Sequence, residues 1–325
     1  MSVTDTCSRR LRTLFYGMTH EHAPGKIETL RKLTDDFEIV AIVDDTARGA
    51  PTFFTSPFDA SGFNVVSEAE ALAMTDIDVV LVETANRDLM EIAGIYAERG
   101  IAMHCDKPCG EAMEPYRTFV EKCRAKNVPF QIGYMYRGNP ALKWIWRFVA
   151  DGGLGEVRYI EADMNHDYQA EGYAEYLSTF KAGILYNLGC HLVDMVLPMV
   201  RGDLIGAHPF TDVTCGSSFL RFEGTDVLLR TSANMPGGVL CRRLRVDGTK
   251  GTIDLCPIER FDGRNLTLTL TVGETVKTMD FGVQTDRYAD QLLDLAAIVR
   301  GEKPNDQDYD RDLLTHETTL RACGL

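Results

Sequence analysis

The apolar positions of this chain fall into two regimes. Up to Gln131, short β-branched runs alternate with stretches of helical spacing. Leu11 to Tyr16 reads as an apolar strand, and Ile27, Leu30 and Leu33 then recur on one helix face. Phe37 to Val43 (FEIVAIV) and Ile77 to Val82 (IDVVLV) are near-continuous apolar runs, as in parallel strands covered on both faces. Ser67 and Glu70 have the spacing of a capping box. Arg87 to Gly100 puts Leu89, Ile92, Ala93 and Tyr96 on one helix face, Ile101 to Cys105 is a further strand, and Glu111 to Lys126 a further helix. This alternation predicts βαβ units in a doubly wound parallel sheet.

After a helix around Leu142 to Ala150 the period changes to two. Glu156 to Asn165 alternates. Phe219 to Ser232 reads as two strands about Glu223 to Asp226, and Val239 to Leu255 as two more about Asp247 to Gly251. LTLTLTV at Leu266 to Val272 precedes a Gly273-Glu274 turn and another strand. The pattern predicts an open, largely antiparallel sheet with one buried face. Helical spacing returns at Tyr288 to Val299 and near the C-terminus, while Glu302 to Asp312 reads as a charged, solvated connection. The expected organisation is an N-terminal Rossmann-type α/β domain over 1–131 and a C-terminal α+β domain over 132–325.

Composition narrows the function. The 325 residues carry 34 Lys+Arg against 48 Asp+Glu, a formal net charge of −14. An acidic chain lacks the electrostatic footprint for phosphate backbones, so no nucleic-acid partner is expected. The 45% apolar fraction suits a globular core. Met1 to His20 has no secretory apolar core, and no run approaches ~18 apolar residues, so neither a signal peptide nor a membrane partner is expected. Nine scattered cysteines (7, 105, 109, 123, 190, 215, 241, 256 and 323) read as reduced thiols of a cytoplasmic protein.

Three places carry candidate chemistry. The first strand ends in Gly17-Met18-Thr19-His20-Glu21-His22. Glycine there permits the tight turn that brings backbone to a pyrophosphate at a helix N-terminus, although Thr19 and His22 stand where further glycines are usual. Asp44 ends the next strand, where a carboxylate can accept from ribose hydroxyls. It favours NAD over NADP, and Arg48 nearby leaves NADP open. His20 and His22 resemble a metal pair, but the sequence shows no third ligand; Cys105 and Cys109 have no second close Cys/His pair. No metal is expected. The second place is His104-Cys105-Asp106-Lys107-Pro108, in which a strand end aims Lys107 toward the ligand crevice, because the residue before proline is extended. The third is Tyr186 to Asp194. There Asn187 and His191 are i and i+4 on one helix, with Asp194 three further on; a satisfied core histidine is the competing reading.

These residues resemble the glucose–fructose oxidoreductase, inositol dehydrogenase and rhizopine-catabolism family, Gfo/Idh/MocA, over essentially the whole chain. Asp106-Lys107-Pro108 resembles the family's Glu-Lys-Pro, and Tyr136-Arg137-x-Asn139-Pro140 its Tyr-Arg-Phe-x-Pro. Gly152 to Val157 resembles the entry into the second sheet, Gly183 to Asp194 the Asp-x-Gly-x-His-x-x-Asp helix, and Gly248 to Gly251 the Gly-x-x-Gly hairpin. The resemblance implies an NAD(P)-dependent oxidoreductase moving hydride between nicotinamide and a hydroxyl or keto group of a sugar, inositol or related polyol. It implies Gly17, Thr19, His20, Asp44, Thr84, Asn86 and Lys107 at the cofactor, and Lys107, Tyr136, Arg137, Asn187 and His191 at the substrate. Lys107 and His191 would be catalytic: a near-neutral histidine suits the general base, steadied by Asp194, and an ammonium stabilises a developing alkoxide. Asn187 stands where the family has its aspartate, and Thr84-Ala85-Asn86 replaces Thr-Pro-Asn. The resemblance also implies a homodimer or homotetramer through the C-terminal sheet. An NAD-using glycosidase or lyase and a non-catalytic nucleotide-sensing regulator are the alternative functions.

Overall fold

A computed structural model describes residues 9–49, 53, 58–168 and 172–325; Cys7 lies outside them. The chain divides into two compact units. The first comprises residues 1–110, 114–133 and 288–309, and the second 111–113, 134–287 and 310–325.

The first unit is a parallel sheet. Its strands are β1 (Leu11–Tyr16), β2 (Phe37–Val43), β3 (Val65–Val66), β4 (Val79–Val82), β5 (Ala102–Cys105) and β6 (Phe130–Ile132). Their order is β3-β2-β1-β4-β5-β6, with every pair parallel. The chain reverses its winding between β1 and β4, the point at which open α/β sheets hold ligands. The near-continuous apolar runs form the central strands because both faces are covered; every residue of β4 and β5 is buried. Helices α1 (Ala23–Lys32), α2 (Glu68–Ala73), α3 (Leu89–Glu98) and α4 (Met113–Lys126) make the crossovers. The capping box at Ser67 and Glu70 is present in both directions. Ile27 and Leu30 of α1 enter the core with Leu11, Phe15 and Leu81.

The second unit begins at α5 (Pro140–Ala150), whose Asn139 cap accepts from the Ala141 and Leu142 N–H groups. Its sheet contains β7 (Val157–Asn165), β8 (Leu204–Thr211), β9 (Cys215–Phe222), β10 (Asp226–Ser232), β11 (Arg243–Gly248), β12 (Gly251–Leu255), β13 (Asn265–Val272) and β14 (Thr275–Val283), in the order β14-β13-β12-β11-β7-β10-β9-β8. All pairs are antiparallel except β7 with β10. Two helices precede β8: α6 (Tyr173–Leu177) and α7 (Gly183–Val196). Every residue of α7 is buried, and it packs on β7, β9 and β10.

Helix α8 (Ala289–Val299) returns to the first unit. The sequence reading placed it with the second domain; Leu292, Leu295 and Ala296 instead join the core around β1. Helix α9 (Tyr309–Cys323) starts inside the stretch read as a solvated connection. Asp312 is fully buried because Arg137 donates to it at 2.8 Å. No helix among the described residues is long and apolar enough to cross a membrane. The eight described cysteines are free thiols, five of them buried.

Candidate active site

Only glycine fits at the end of β1. Gly17 has φ +104°, and a Cβ there would lie 2.6 Å from the Thr84 nitrogen and 2.7 Å from the Glu83 carbonyl. The turn that follows is held from below by Asp45. Its Oδ1 accepts the Met18 N–H at 2.8 Å, and its Oδ2 accepts the hydroxyls of Thr19 (2.5 Å) and Thr84 (2.6 Å). Asp44 points outward, accepting the Thr46 N–H at 2.9 Å and its hydroxyl at 2.6 Å. Those bonds hold the Asp44 carboxyl below its usual range, the side-chain bond contributing most. The Arg48 guanidinium is committed to Glu68 at 2.6 and 2.9 Å and to Glu91 at 3.4 Å.

Beneath the same turn lies a buried charge cluster. Lys26 of α1 is fully buried and donates to Glu83 (2.9 Å), Asp106 (2.8 Å) and His104 Nε2 (2.7 Å). Burial opposes its charge, but Asp106 and Glu83 outweigh burial and hold the ammonium above its ordinary pKa. Burial would raise the Asp106 carboxyl; His20, His22 and Lys26 hold it well below normal instead. Glu83 goes the other way, its pKa raised by burial and by Asp106 beside it. Burial pushes His20 down to about 4 and His104 to about 3, so both are neutral at pH 7. His20 Nε2 meets the Lys107 carbonyl at 3.0 Å, and the Asn86 amide donates to the carbonyls of Lys107 (3.0 Å) and Pro108 (3.2 Å). Lys107, just past β5, is buried and donates to Glu21 at 3.1 Å.

In the second unit, Asn187 and His191 lie one turn apart on α7, both buried. The His191 ring stands edge-on to Tyr134 and Tyr136, with centroids 6.1 and 5.7 Å away. Tyr136 donates to Glu259 at 3.2 Å and accepts from Arg242 at 3.2 Å, and burial raises its pKa. Asp194, expected to steady His191, has both oxygens taken by Arg137 at 2.6–3.1 Å. Arg137, expected at the substrate, is an ion-pair centre between Asp194 and Asp312.

Comparison with known proteins agrees with these two units. Residues 15–134 match the oxidoreductase family with an NAD-binding Rossmann fold, and residues 143–254 match the GFO/IDH/MocA C-terminal domain. The chain belongs to the GFO/IDH/MocA oxidoreductase family.

A D-apiose dehydrogenase from Paraburkholderia graminis is 23% identical over 284 residues, covering 82% of this chain and 72% of that protein. A levoglucosan dehydrogenase from Pseudarthrobacter phenanthrenivorans is 24% identical over 185 residues, 55% of this chain and 44% of that one. The 3-ketoreductase KijD10 of Actinomadura kijaniata, solved with NADP and TDP-benzene, superposes with a TM-score of 0.77 at 15% identity and covers 96% of each chain. As a GFO/IDH/MocA protein the chain is an NAD(P)-dependent oxidoreductase of the dehydrogenase class.

The first turn of this GFO/IDH/MocA chain fits a dinucleotide despite its missing glycines. Thr19 is drawn down onto Asp45, and the His20 ring is buried against the Lys107 carbonyl. The side chains that replace glycine therefore fold beneath the backbone and leave it open to a pyrophosphate. The residues expected at the cofactor divide accordingly. Gly17 and Asp44 offer backbone and carboxylate outward, whereas the side chains of Thr19, His20, Thr84 and Asn86 build the support. Sequence reasoning missed Asp45, Lys26, Glu83 and Glu21; short polar pairs such as Asp44-Asp45 after β2 and Glu83-Thr84 after β4 gave no sign of which groups face inward.

Proposed function

We propose that the protein is an NAD-preferring dehydrogenase acting on a secondary hydroxyl of a sugar, inositol or related polyol. The observation that carries the reading is Lys107 at the carboxyl end of β5, buried and held by Glu21 within 3.1 Å. The sugar dehydrogenases among its relatives support the substrate class. Bound nicotinamide would supply the hydride acceptor. The chain's own part is electrostatic and protonic. The Lys107 ammonium stabilises negative charge on the substrate oxygen. His191 takes the hydroxyl proton, and Asn187, which cannot ionise, donates and accepts at a neighbouring hydroxyl. Tyr134 and Tyr136 fix the plane of the His191 ring by edge contacts.

The preference for NAD rests on Asp44 and Arg48. An outward carboxylate suits the two ribose hydroxyls and repels a 2′-phosphate. Of the nearby cations, Arg48 is committed to Glu68 and Glu91, and Arg87 donates to the Arg48 carbonyl at 2.7 Å.

Self-association through the second unit is part of the same proposal. Its sheet carries cross-strand ion pairs, Arg230 with Asp163 and Arg243 with Asp254, on the positions alternating with those beneath α7. A homodimer or homotetramer through this sheet is the state proposed, and light scattering tests it. The activity is tested by assaying a panel of polyols and aldoses with NAD. Net NADH formation supports the reading, and Lys107→Ala should slow it by about 10²–10³-fold.

A further inference from the structure

We propose that His20, His22 and Asp106 form a binding site for one divalent transition-metal ion of the zinc class. The sequence offered the two histidines and no third donor. The fold supplies it, because β1 and β5 end at the same edge of the sheet, flanking β4. One ligand atom from each of the three residues can be chosen so that all lie within 4.8 Å of one another. His22 Nδ1 is 3.0 Å from Asp106 Oδ1, and His20 Nδ1 is 3.5 Å from Asp106 Oδ2. Ligands at about 2.0–2.2 Å from a tetrahedral ion stand about 3.3 Å apart; the two histidine–aspartate separations match this, and the widest pair, within 4.8 Å, closes when an ion binds.

The surroundings are those of a metal site. A ligating histidine normally gives its second nitrogen to a carbonyl or carboxylate, which fixes the tautomer and orients the ring. His20 Nε2 lies 3.0 Å from the Lys107 carbonyl, so Nδ1 carries the free lone pair; it accepts the His22 backbone N–H at 3.2 Å, a bond an ion at Nδ1 would replace. His22 Nε2 lies 3.7 Å from Glu21 Oε1, leaving Nδ1 as the donor there. Asp106 is oriented in turn: Lys26 holds Oδ2 at 2.8 Å, and the Lys107 N–H holds Oδ1 at 2.6 Å. His20 and Asp106 thus have outer partners already in place, and Glu21 stands beside His22 at 3.7 Å. His20 and Asp106 are buried, and His22 is 20% exposed at its side chain, which leaves an entry path and room for water as a further ligand. Two imidazoles and one carboxylate select zinc, cobalt or iron(II) over magnesium and calcium, which prefer all-oxygen sets. An ion here would tie the turn after β1 to the end of β5, independently of the reaction proposed above.

The test uses the full chain stripped with a chelator and titrated calorimetrically with Zn²⁺, then with Co²⁺ followed by visible absorption. The proposal expects one ion per chain, a cobalt spectrum without a thiolate charge-transfer band, and at least ~10-fold weaker binding in His22→Ala. His22 is the substitution of choice because it is partly exposed, and melting confirms that the variant folds. Asp106→Asn is the second variant, also expected to weaken binding. No saturable binding, a thiolate band from the cysteines, or unchanged affinity in a folded His22→Ala would overturn the proposal.

Discussion

The carboxylate of Asp45 accepts the backbone N–H of Met18 at 2.8 Å. That bond joins the end of β2 to the turn after β1, and the hydroxyls of Thr19 and Thr84 complete the joint on the other oxygen. The turn therefore gets from one buried carboxylate the rigidity that close glycine packing gives elsewhere. Asp45→Ala should lower unfolding free energy by about 3 kcal/mol, since each bond to a charged group contributes about 1.5–3 kcal/mol and the orphaned N–H adds cost. NAD affinity should fall with it. Denaturant unfolding and calorimetry on the same variant check both; a variant with unchanged stability and unchanged NAD affinity contradicts this role.

Asp44, one residue earlier, should act on specificity and not on stability. It is exposed, and its bonds are to Thr46. Asp44→Ser should weaken NAD by about 1.5–3 kcal/mol at most and narrow the gap to NADP, with the melting temperature unchanged. Calorimetry with both dinucleotides reads the outcome. Equal losses for NAD and NADP would mean that Asp44 does not face the ribose.

The two aspartates show how much of the site was legible in the sequence. Asp44 and Asp45 are identical letters at a strand end, and only the register of β2 decides which one turns inward. Lys26 was hidden for a similar reason: in the polar pattern of α1 it looks like a solvent residue, yet it is fully buried between two carboxylates. The long apolar strands were legible because burial on both faces removes every polar letter. Val65–Val66 is too short to carry a period, and β8 is an edge strand with Pro209 and alternating exposure, which blurs its signal. Lys107, Asn187 and His191 could be singled out from strand-end position and helix spacing. The engagement of Asp194 by Arg137 could not, because it links segments 57 residues apart.

The buried histidines make stability pH-dependent. His20 and His104 have folded pKa values of about 4 and about 3, against 6.5 ordinarily. His316 in the second unit is also lowered to about 4 by burial. Between pH 6.5 and 4 the unfolded chain binds these protons and the folded chain does not, so stability falls as pH drops through that window. Each histidine contributes up to about 1.4 kcal/mol per pH unit. Glu83, whose pKa is raised, works in the opposite sense, so the informative quantity is a difference. His104→Gln keeps an acceptor beside Lys26 and should flatten the stability–pH slope by roughly one proton's worth. Parallel slopes for the variant and the parent would show that His104 does not titrate on unfolding.

The central claim, hydride transfer from a polyol-like hydroxyl with Lys107 at the reacting oxygen, is tested most directly by NADH absorbance during turnover, in the parent and in Lys107→Ala. The parent should form NADH in proportion to oxidised product on at least one sugar or polyol. The variant should bind NAD yet lose about 10²–10³-fold in kcat. Substrate consumption without net NADH would instead indicate transient redox chemistry of the glycosidase or lyase kind, and NAD binding with no turnover on any substrate would indicate a sensor. Either result, or full activity in Lys107→Ala, would contradict the account.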